Sequence, residues 1–211
     1  MEWTKAITEA KEKTKKRKFI QTIELVMNFE RVDFSKTDNR INADIILPKG
    51  RGKDVKVVVV AGKELMPEAK ANADKVLTED DVKKIGKDKK QAKRLAKENH
   101  AFIAQANLMP LVGKEMGQVL GTRGKMPTPV PPAAKLAPVI QRIKNSVKIR
   151  TKGKFMPTLQ APIGTEEMSD QDLAENAKAV YNTIIQKLPQ KETNVKNVYV
   201  KTSMGPSIKV E

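Results

Sequence analysis

Val57-Val58-Val59-Val60-Ala61-Gly62 is the stretch whose reading decides the fold. A strand with one wet face alternates apolar and polar side chains, so an unbroken apolar run closed by two small residues marks a strand covered on both sides. The residues beyond it keep that style. A short helical segment spans 67–72 and a brief strand Lys75-Val76-Leu77 comes next. A helical stretch over 78–99 is interrupted near Gly86, and Thr78 with Asp81 three residues on resembles a capping arrangement at its start. Ala101-Phe102-Ile103-Ala104 is another apolar strand, followed by a helix over 110–120. Gly121, Gly124, Pro127, Pro129, Pro131 and Pro132 predict an irregular loop over 121–132. Leu136, Val139, Ile140 and Ile143 mark one more helix, and a strand at 147–150 leads to Gly153. Strands alternating with helices predict βαβ units around a small parallel sheet.

Outside this block the style differs. Trp3, Ala6, Ile7 and Ala10 form one stripe of an amphipathic helix. Over 19–29, Ile23, Leu25, Met27 and Phe29 alternate with Thr22, Glu24 and Asn28, the pattern of a half-buried strand. A second such strand, over 41–47, ends at Pro48-Lys49-Gly50, and the two are predicted to be antiparallel neighbours. After residue 155 the half-buried style returns. It comprises a strand at 158–163 broken by Pro162, a helix from its Ser169 cap to about residue 188, a strand at 195–201, the turn Met204-Gly205-Pro206 and a last strand at 208–210. The reading is mixed α/β and α+β. Residues 1–62 and 153–211 make a split α+β domain, and 63–152 an inserted Rossmann-like α/β domain, with crossings near 62 and 153. No internal repeat is evident.

Composition narrows the function. Lysine plus arginine number 41 against 25 acidic residues, a net +16 with pI near 9.9. Such a field draws polyanions, whether DNA, RNA or an anionic membrane. No apolar run approaches the about 20 residues of a spanning helix, and the N-terminus shows no signal-peptide core. There is no cysteine, which removes Cys-based metal sites and thiolate nucleophiles, and the one histidine, His100, argues against a histidine-based zinc site or a serine triad; neither cofactor nor metal is expected. A chain without cysteine is most simply intracellular. Asp80 and Asp81 suit a helix's first turn, as do Glu166 and Glu167 before the last long helix. Pro48-Lys49-Gly50-Arg51-Gly52-Lys53 lacks phosphate-loop spacing, and Gly113-Lys114-Glu115-Met116-Gly117 lies inside a helical pattern. Catalysis is not supported.

RNA binding needs only what is present: cations and backbone N–H groups for phosphates, hydroxyls for the 2′-OH. The run Lys201-Thr202-Ser203-Met204-Gly205-Pro206-Ser207 concentrates such groups on a turn, which is equally the make-up of an ordinary hairpin tip. Phe19 stands beside Lys11, Lys13, Lys15, Lys16, Arg17 and Lys18; it fits a ribose or base contact, or the core. The lysines fit a phosphate-facing edge, or the negative end of the helix dipole.

Four segments carry a family resemblance. Leu120-Gly121-Thr122-Arg123-Gly124-Lys125-Met126-Pro127 resembles the LGxRGxMP signature of the L-one family of large-subunit ribosomal proteins. Thr202-Ser203-Met204-Gly205-Pro206-Ser207 is similar to its T-x-M-G-P-S motif, Lys18-Phe19 with Thr22 and Glu24 to its K-F-x-x-T-x-E segment, and Leu47-Pro48-Lys49-Gly50 to its LPxG turn. They occur in family order and span nearly the whole chain, and the lysine-rich helices look archaeal. The resemblance implies a split domain that grips rRNA of the mobile stalk near the tRNA exit site. The implied RNA-binding residues are Lys18, Phe19, Thr22, Glu24, Thr202, Ser203, Met204, Gly205, Pro206 and Ser207. Gln160, which stands where bacterial members place a histidine on RNA, is counted with them. The signature at 121–127 is assigned to structure or to a secondary rRNA contact. The family also implies binding to the protein's own mRNA with repression of its translation, help in releasing deacylated tRNA, a cytoplasmic ribosomal location, and a monomer when free of the ribosome. Two rival readings are a Rossmann-type nucleotide-dependent enzyme, resting on fold analogy alone, and a repressor with no permanent ribosomal place.

Overall fold

The computed structural model describes residues 2–36, 39–132, 134–151 and 157–210. By contacts the chain divides into two compact units, Met1–Lys53 with Asn145–Glu211, and Asp54–Lys144. The sequence reading sets the crossings near 62 and 153. The first instead falls before Val57, whose strand pairs only within the second unit, and the second before Ser146, whose strand pairs within the first. Gly153 lies outside the described residues.

The first unit holds α1 (Trp3–Glu12), β1 (Thr22–Phe29), β2 (Asn42–Ile46), then, beyond the insertion, β7 (Ser146–Arg150), β8 (Thr158–Thr165), α7 (Asp170–Lys187), β9 (Val195–Thr202) and β10 (Ser207–Lys209). Its main sheet has the order β10-β9-β1-β8, every pairing antiparallel. Ile23, Leu25, Met27 and Phe29 point inward, as their alternation predicts, and pack with Val198, Val200, Leu159 and Ile163 against Ile7 and Ala10 of α1 and Leu173, Ala177, Val180 and Ile184 of α7. Trp3 meets Tyr181 edge-on, ring centroids 5.4 Å apart. The expected pairing of β1 with β2 does not form. Both edges of β1 are taken by β8 and β9, and β2 pairs with β7 in a separate antiparallel ribbon. Pro162 does not break β8 either. It sits on an edge strand where the register slips by one residue at Ile23/Glu24, and an edge strand with a bulge tolerates a residue without an N–H.

The second unit contains β3 (Val57–Val60), α2 (Met66–Asn72), β4 (Lys75–Leu77), α3 (Glu79–Lys87), α4 (Lys89–Glu98), β5 (Ala101–Gln105), α5 (Met109–Thr122), β6 (Thr128–Val130) and α6 (Leu136–Asn145). Its sheet is parallel, ordered β4-β3-β5-β6. The valine run explains itself here. Val58 and Val60 enter one core with Val82, Leu95, Phe102, Val112 and Met116, while Val57 and Val59 enter another with Leu65, Ala69, Ile103, Leu136 and Ile140. Thr78 caps α3: its Oγ1 accepts from the Asp81 N–H, and the Asp81 carboxylate accepts from the Thr78 N–H at 3.0 Å. The segment predicted as an irregular loop at 121–132 is partly regular. α5 runs on to Thr122, and β6 forms at the sheet's outer edge, where Pro129 needs no ladder donor.

Candidate nucleic-acid interface

Ile23 stands opposite Thr202 in the β1–β9 register, so residues 19–22 and 203–205 lie side by side at one end of the central strand pair. Ser203 N–H donates to the Thr22 carbonyl at 2.9 Å. Ser203 Oγ accepts from the Thr22 N–H and donates to the Thr22 carbonyl, both at 3.3 Å. Met204 N–H donates at 3.2 Å to Oε1 of Gln21, a side chain with no exposure at all. Gln21 N–H donates to Glu166 Oε1 at 3.0 Å and its carbonyl accepts from the Glu166 N–H at 3.0 Å. Its Nε2 donates to the Lys15 carbonyl at 3.3 Å and to Glu166 Oε2 at 3.4 Å. Four separate segments are therefore tied by one buried amide. Losing any partner would leave a buried polar atom unmatched, at about 1–3 kcal/mol.

Under the turn, the buried Thr202 hydroxyl meets Thr14 Oγ1 at 2.9 Å. A Cβ on Gly205 would collide with both hydroxyl oxygens, so the close approach of backbone to these threonines requires glycine. The inner side of the corner is thus saturated. The outer side is apolar and open: Phe19 is 54 % exposed, Ile20 47 % and Met204 61 %. Single exposed apolar side chains are ordinary, but three on adjoining segments of one turn form a patch of the kind that marks a contact surface. Around them stand cations. Lys15, Lys16, Arg17 and Lys18 are exposed, Lys53 Nζ donates to Thr22 Oγ1 at 2.6 Å, and Lys201 sits opposite Glu24 and Ser207 on the sheet's open face. Apolar faces for bases or ribose beside lysines for phosphates are the parts of an RNA-contacting surface.

The corner gathers Lys18, Phe19, Thr22, Ser203, Met204 and Gly205, with Glu24, Pro206 and Ser207 adjoining. Thr202 is at the same place but faces inward, where its hydroxyl shapes the turn. Gln160 is exposed on β8 opposite Val26, about 13 Å along β1 from Thr22, so it stands apart. Sequence reasoning missed Thr14, Ile20, Gln21, Lys53 and Glu166. Gln21 carried a signal, a polar side chain at an inward position of the alternation that begins at Ile23; Lys53 carried none. The LPxG turn belongs elsewhere. Lys49 N–H donates to Asn176 Oδ1 at 3.0 Å, and Asn176 Nδ2 returns bonds to the Gly50 and Ile163 carbonyls. The Lys49 amine, held above its ordinary pKa by Glu175 and Asp172, ties this turn to α7.

In the second unit the sheet order reverses between β3 and β5, the place where open α/β sheets bind ligands beyond their strand ends. Here that place is filled. Buried Gln105 accepts from the Gly62 N–H at 2.8 Å and donates to Glu64 at 3.5 Å, and even a Cβ on Gly62 would sit 2.6 Å from its oxygen. The nucleotide-enzyme reading finds no support in this geometry. Among the described residues no group of His, Cys, Asp or Glu could hold a metal ion, and no helix is long and apolar enough to cross a membrane.

The sequence model of the Ribosomal protein L1p/L10e family matches residues 10–206. The chain is similar to the large ribosomal subunit protein uL1 of Methanothermobacter thermautotrophicus, 44% identical over 206 residues that cover 97% of this chain and 96% of that one. It is similar to the protein of the same description from Thermococcus kodakarensis, 44% identical over 98% of this chain and 95% of the other. The one from Thermoplasma volcanium is 44% identical, covering 98% and 94%. All three are archaeal relatives. With a match that takes in both parts of the split unit and the whole of the inserted one, this chain belongs to the ribosomal protein L1p/L10e family.

Proposed function

We propose that this chain is a structural rRNA-binding protein of the large ribosomal subunit, and that the corner formed by 19–22 and 203–205 is its RNA-reading site. The observation that carries this is the outward trio Phe19, Ile20 and Met204 on a turn whose inner hydrogen bonds are already complete. Such a turn needs no reorganisation to bind, so little of the binding free energy is spent on ordering it. Bases or riboses cover the trio, the Ser203 and Thr22 hydroxyls lie within reach of a 2′-OH, and the surrounding lysines supply the salt-dependent attraction. Thr202, Thr14, Gly205 and Gln21 hold the platform in shape.

The family resemblance supports three finer statements: the RNA is the mobile stalk beside the tRNA exit site, the protein assists release of deacylated tRNA there, and it represses its own mRNA through a stalk-like structure. Phe19→Ala should weaken binding to a stalk rRNA fragment by about 5–150-fold, the range of one lost stacking contact, and Met204→Ala should weaken it through the loss of an apolar contact, both without a change in thermal midpoint. Wild-type affinity in both variants would overturn the site. Co-sedimentation of the wild-type chain with large subunits through a salt wash tests the ribosomal place, and its absence would overturn that. Competition between the stalk fragment and the leader of the chain's own mRNA tests the repressor role; failure of the leader to displace the fragment would remove it.

A further inference from the structure

The α4 helix of the second unit has a charge pattern that its own stability does not explain. Residues 83–97 carry seven lysines and one arginine against a single carboxylate, Asp88. Asp88 is spent on the α4 cap, where it accepts from the Lys90 and Gln91 N–H groups. Ala92, Leu95 and Ala96 face the core, and Arg94 is neutralised by Glu98 at 2.7 Å. Lys89, Lys93 and Lys97 recur every four residues, so they form one exposed ridge about 12 Å long. Among the described residues none of the three has a carboxylate within ion-pair distance. A lysine in the last turn complements the helix dipole, which accounts for Lys97. Lys89 and Lys90 occupy the first turn, where the dipole disfavours positive charge; the Asp88 cap offsets part of that charge, and the turn itself holds no acidic residue.

A second observation bears on the same end of the unit. The signature segment at 120–127 is docked on α4: Lys125 Nζ donates to the Ala96 carbonyl at 2.8 Å and to the Asn99 carbonyl at 2.7 Å. Gly124, at φ +67°, makes the reversal that brings Lys125 inward while Arg123 stays exposed. Arg123 lies near enough to add to the effect of burial in lowering the Lys125 pKa. The lysine of the motif is therefore spent on docking the segment against the last turn of α4, while Arg123 stays exposed.

We infer that the ridge Lys89, Lys93 and Lys97 is a second RNA-binding surface that holds the phosphate backbone of a duplex segment and reads no bases. It has cations at regular spacing and no exposed aromatic, which is the make-up of backbone contact rather than base readout. This rests on the RNA-binding reading above and concerns a separate part of the chain.

The test is a filter-binding series over salt, with the full chain, a stalk rRNA fragment and a plain RNA duplex as probes. The variants are Lys89→Gln/Lys93→Gln/Lys97→Gln and the corresponding triple change to arginine. Each phosphate contact contributes about 0.7–0.9 to the slope of log affinity against log salt, so the glutamine variant should lose about 2 from the slope. It should lose that on both probes while keeping the wild-type preference for the fragment, and the arginine variant should keep the slope. Circular dichroism checks that the exposed glutamines leave α4 intact, since glutamine and lysine have similar helix propensity. An unchanged slope in the glutamine variant would overturn the ridge. So would an unchanged RNA slope with lost binding to anionic lipid vesicles, which would assign the lysines to a membrane surface. If the wild type itself fails to bind the fragment, the RNA-binding reading falls first, and the plain-duplex arm still reads the ridge.

Discussion

Gln21 shows most clearly how single residues set the shape of the proposed interface. Its side chain accepts from Met204 and donates towards Lys15 and Glu166, so replacing it by glutamate keeps the acceptor and removes the donor. Gln21→Glu would also put a second carboxyl against Glu166 in a buried place. The folded pair then holds a proton more tightly than the unfolded chain does, so the variant is favoured at low pH and loses stability as pH rises through the raised folded value. RNA affinity in Gln21→Glu should fall from about pH 5 to about pH 8 while the wild type stays flat; a flat variant would show that Gln21 does not hold the turn. Gly205→Ala is the complementary change. The added methyl meets the Thr14 and Thr202 hydroxyls, and overpacking of this kind costs about 1–3 kcal/mol. The turn should shift outward, with loss of specific RNA binding and a lower thermal midpoint. Wild-type values for both would contradict the close approach.

At the scale of elements, much was legible because local pattern and burial agree. The valine run, the alternation of β1, the Thr78–Asp81 capping box and the Ser169 cap of α7 are each set by residues within one turn or one strand. What was not legible depended on partners. Nothing in β2 says that β7, about a hundred residues away, will pair with it rather than β1. Pro129 and Pro162 look like breakers until the sheet order places both on edges. The corner was half legible: the outward residues carry the motif, while Gln21, Glu166 and Lys53 became visible only when separate segments met. Thr78→Ala removes the α3 cap and should lower stability by about 1 kcal/mol in urea unfolding, with no change pointing to water taking its place. The α1–α7 link is acid-sensitive. Burial raises the Asp170 pKa, but hydrogen bonds from Lys11 and Thr8 outweigh it and the net shift is downward. A depressed carboxylate contributes stability at neutral pH that is lost as pH falls through its folded value, below the ordinary 3.8. Asp170→Asn should therefore flatten the acid limb of the stability curve, and an unchanged limb would show that this link does not stabilise the fold.

For the whole molecule, a net charge of +16 explains attraction to polyanions and nothing about which one is chosen. The proposed division of labour gives choice to the nearly uncharged corner of the split unit and general grip to the lysines, those of α4 among them. The most direct measurement is the ratio of affinities for a stalk rRNA fragment and for a plain RNA duplex at one fixed salt, in the wild type and in Phe19→Ala/Met204→Ala. The ratio should collapse by about 10-fold or more in the double variant while duplex affinity and its salt slope stay as they were, since one lost stacking contact alone accounts for about 1–3 kcal/mol. A ratio that survives the double change, or a duplex affinity that falls in step with the fragment's, would contradict it.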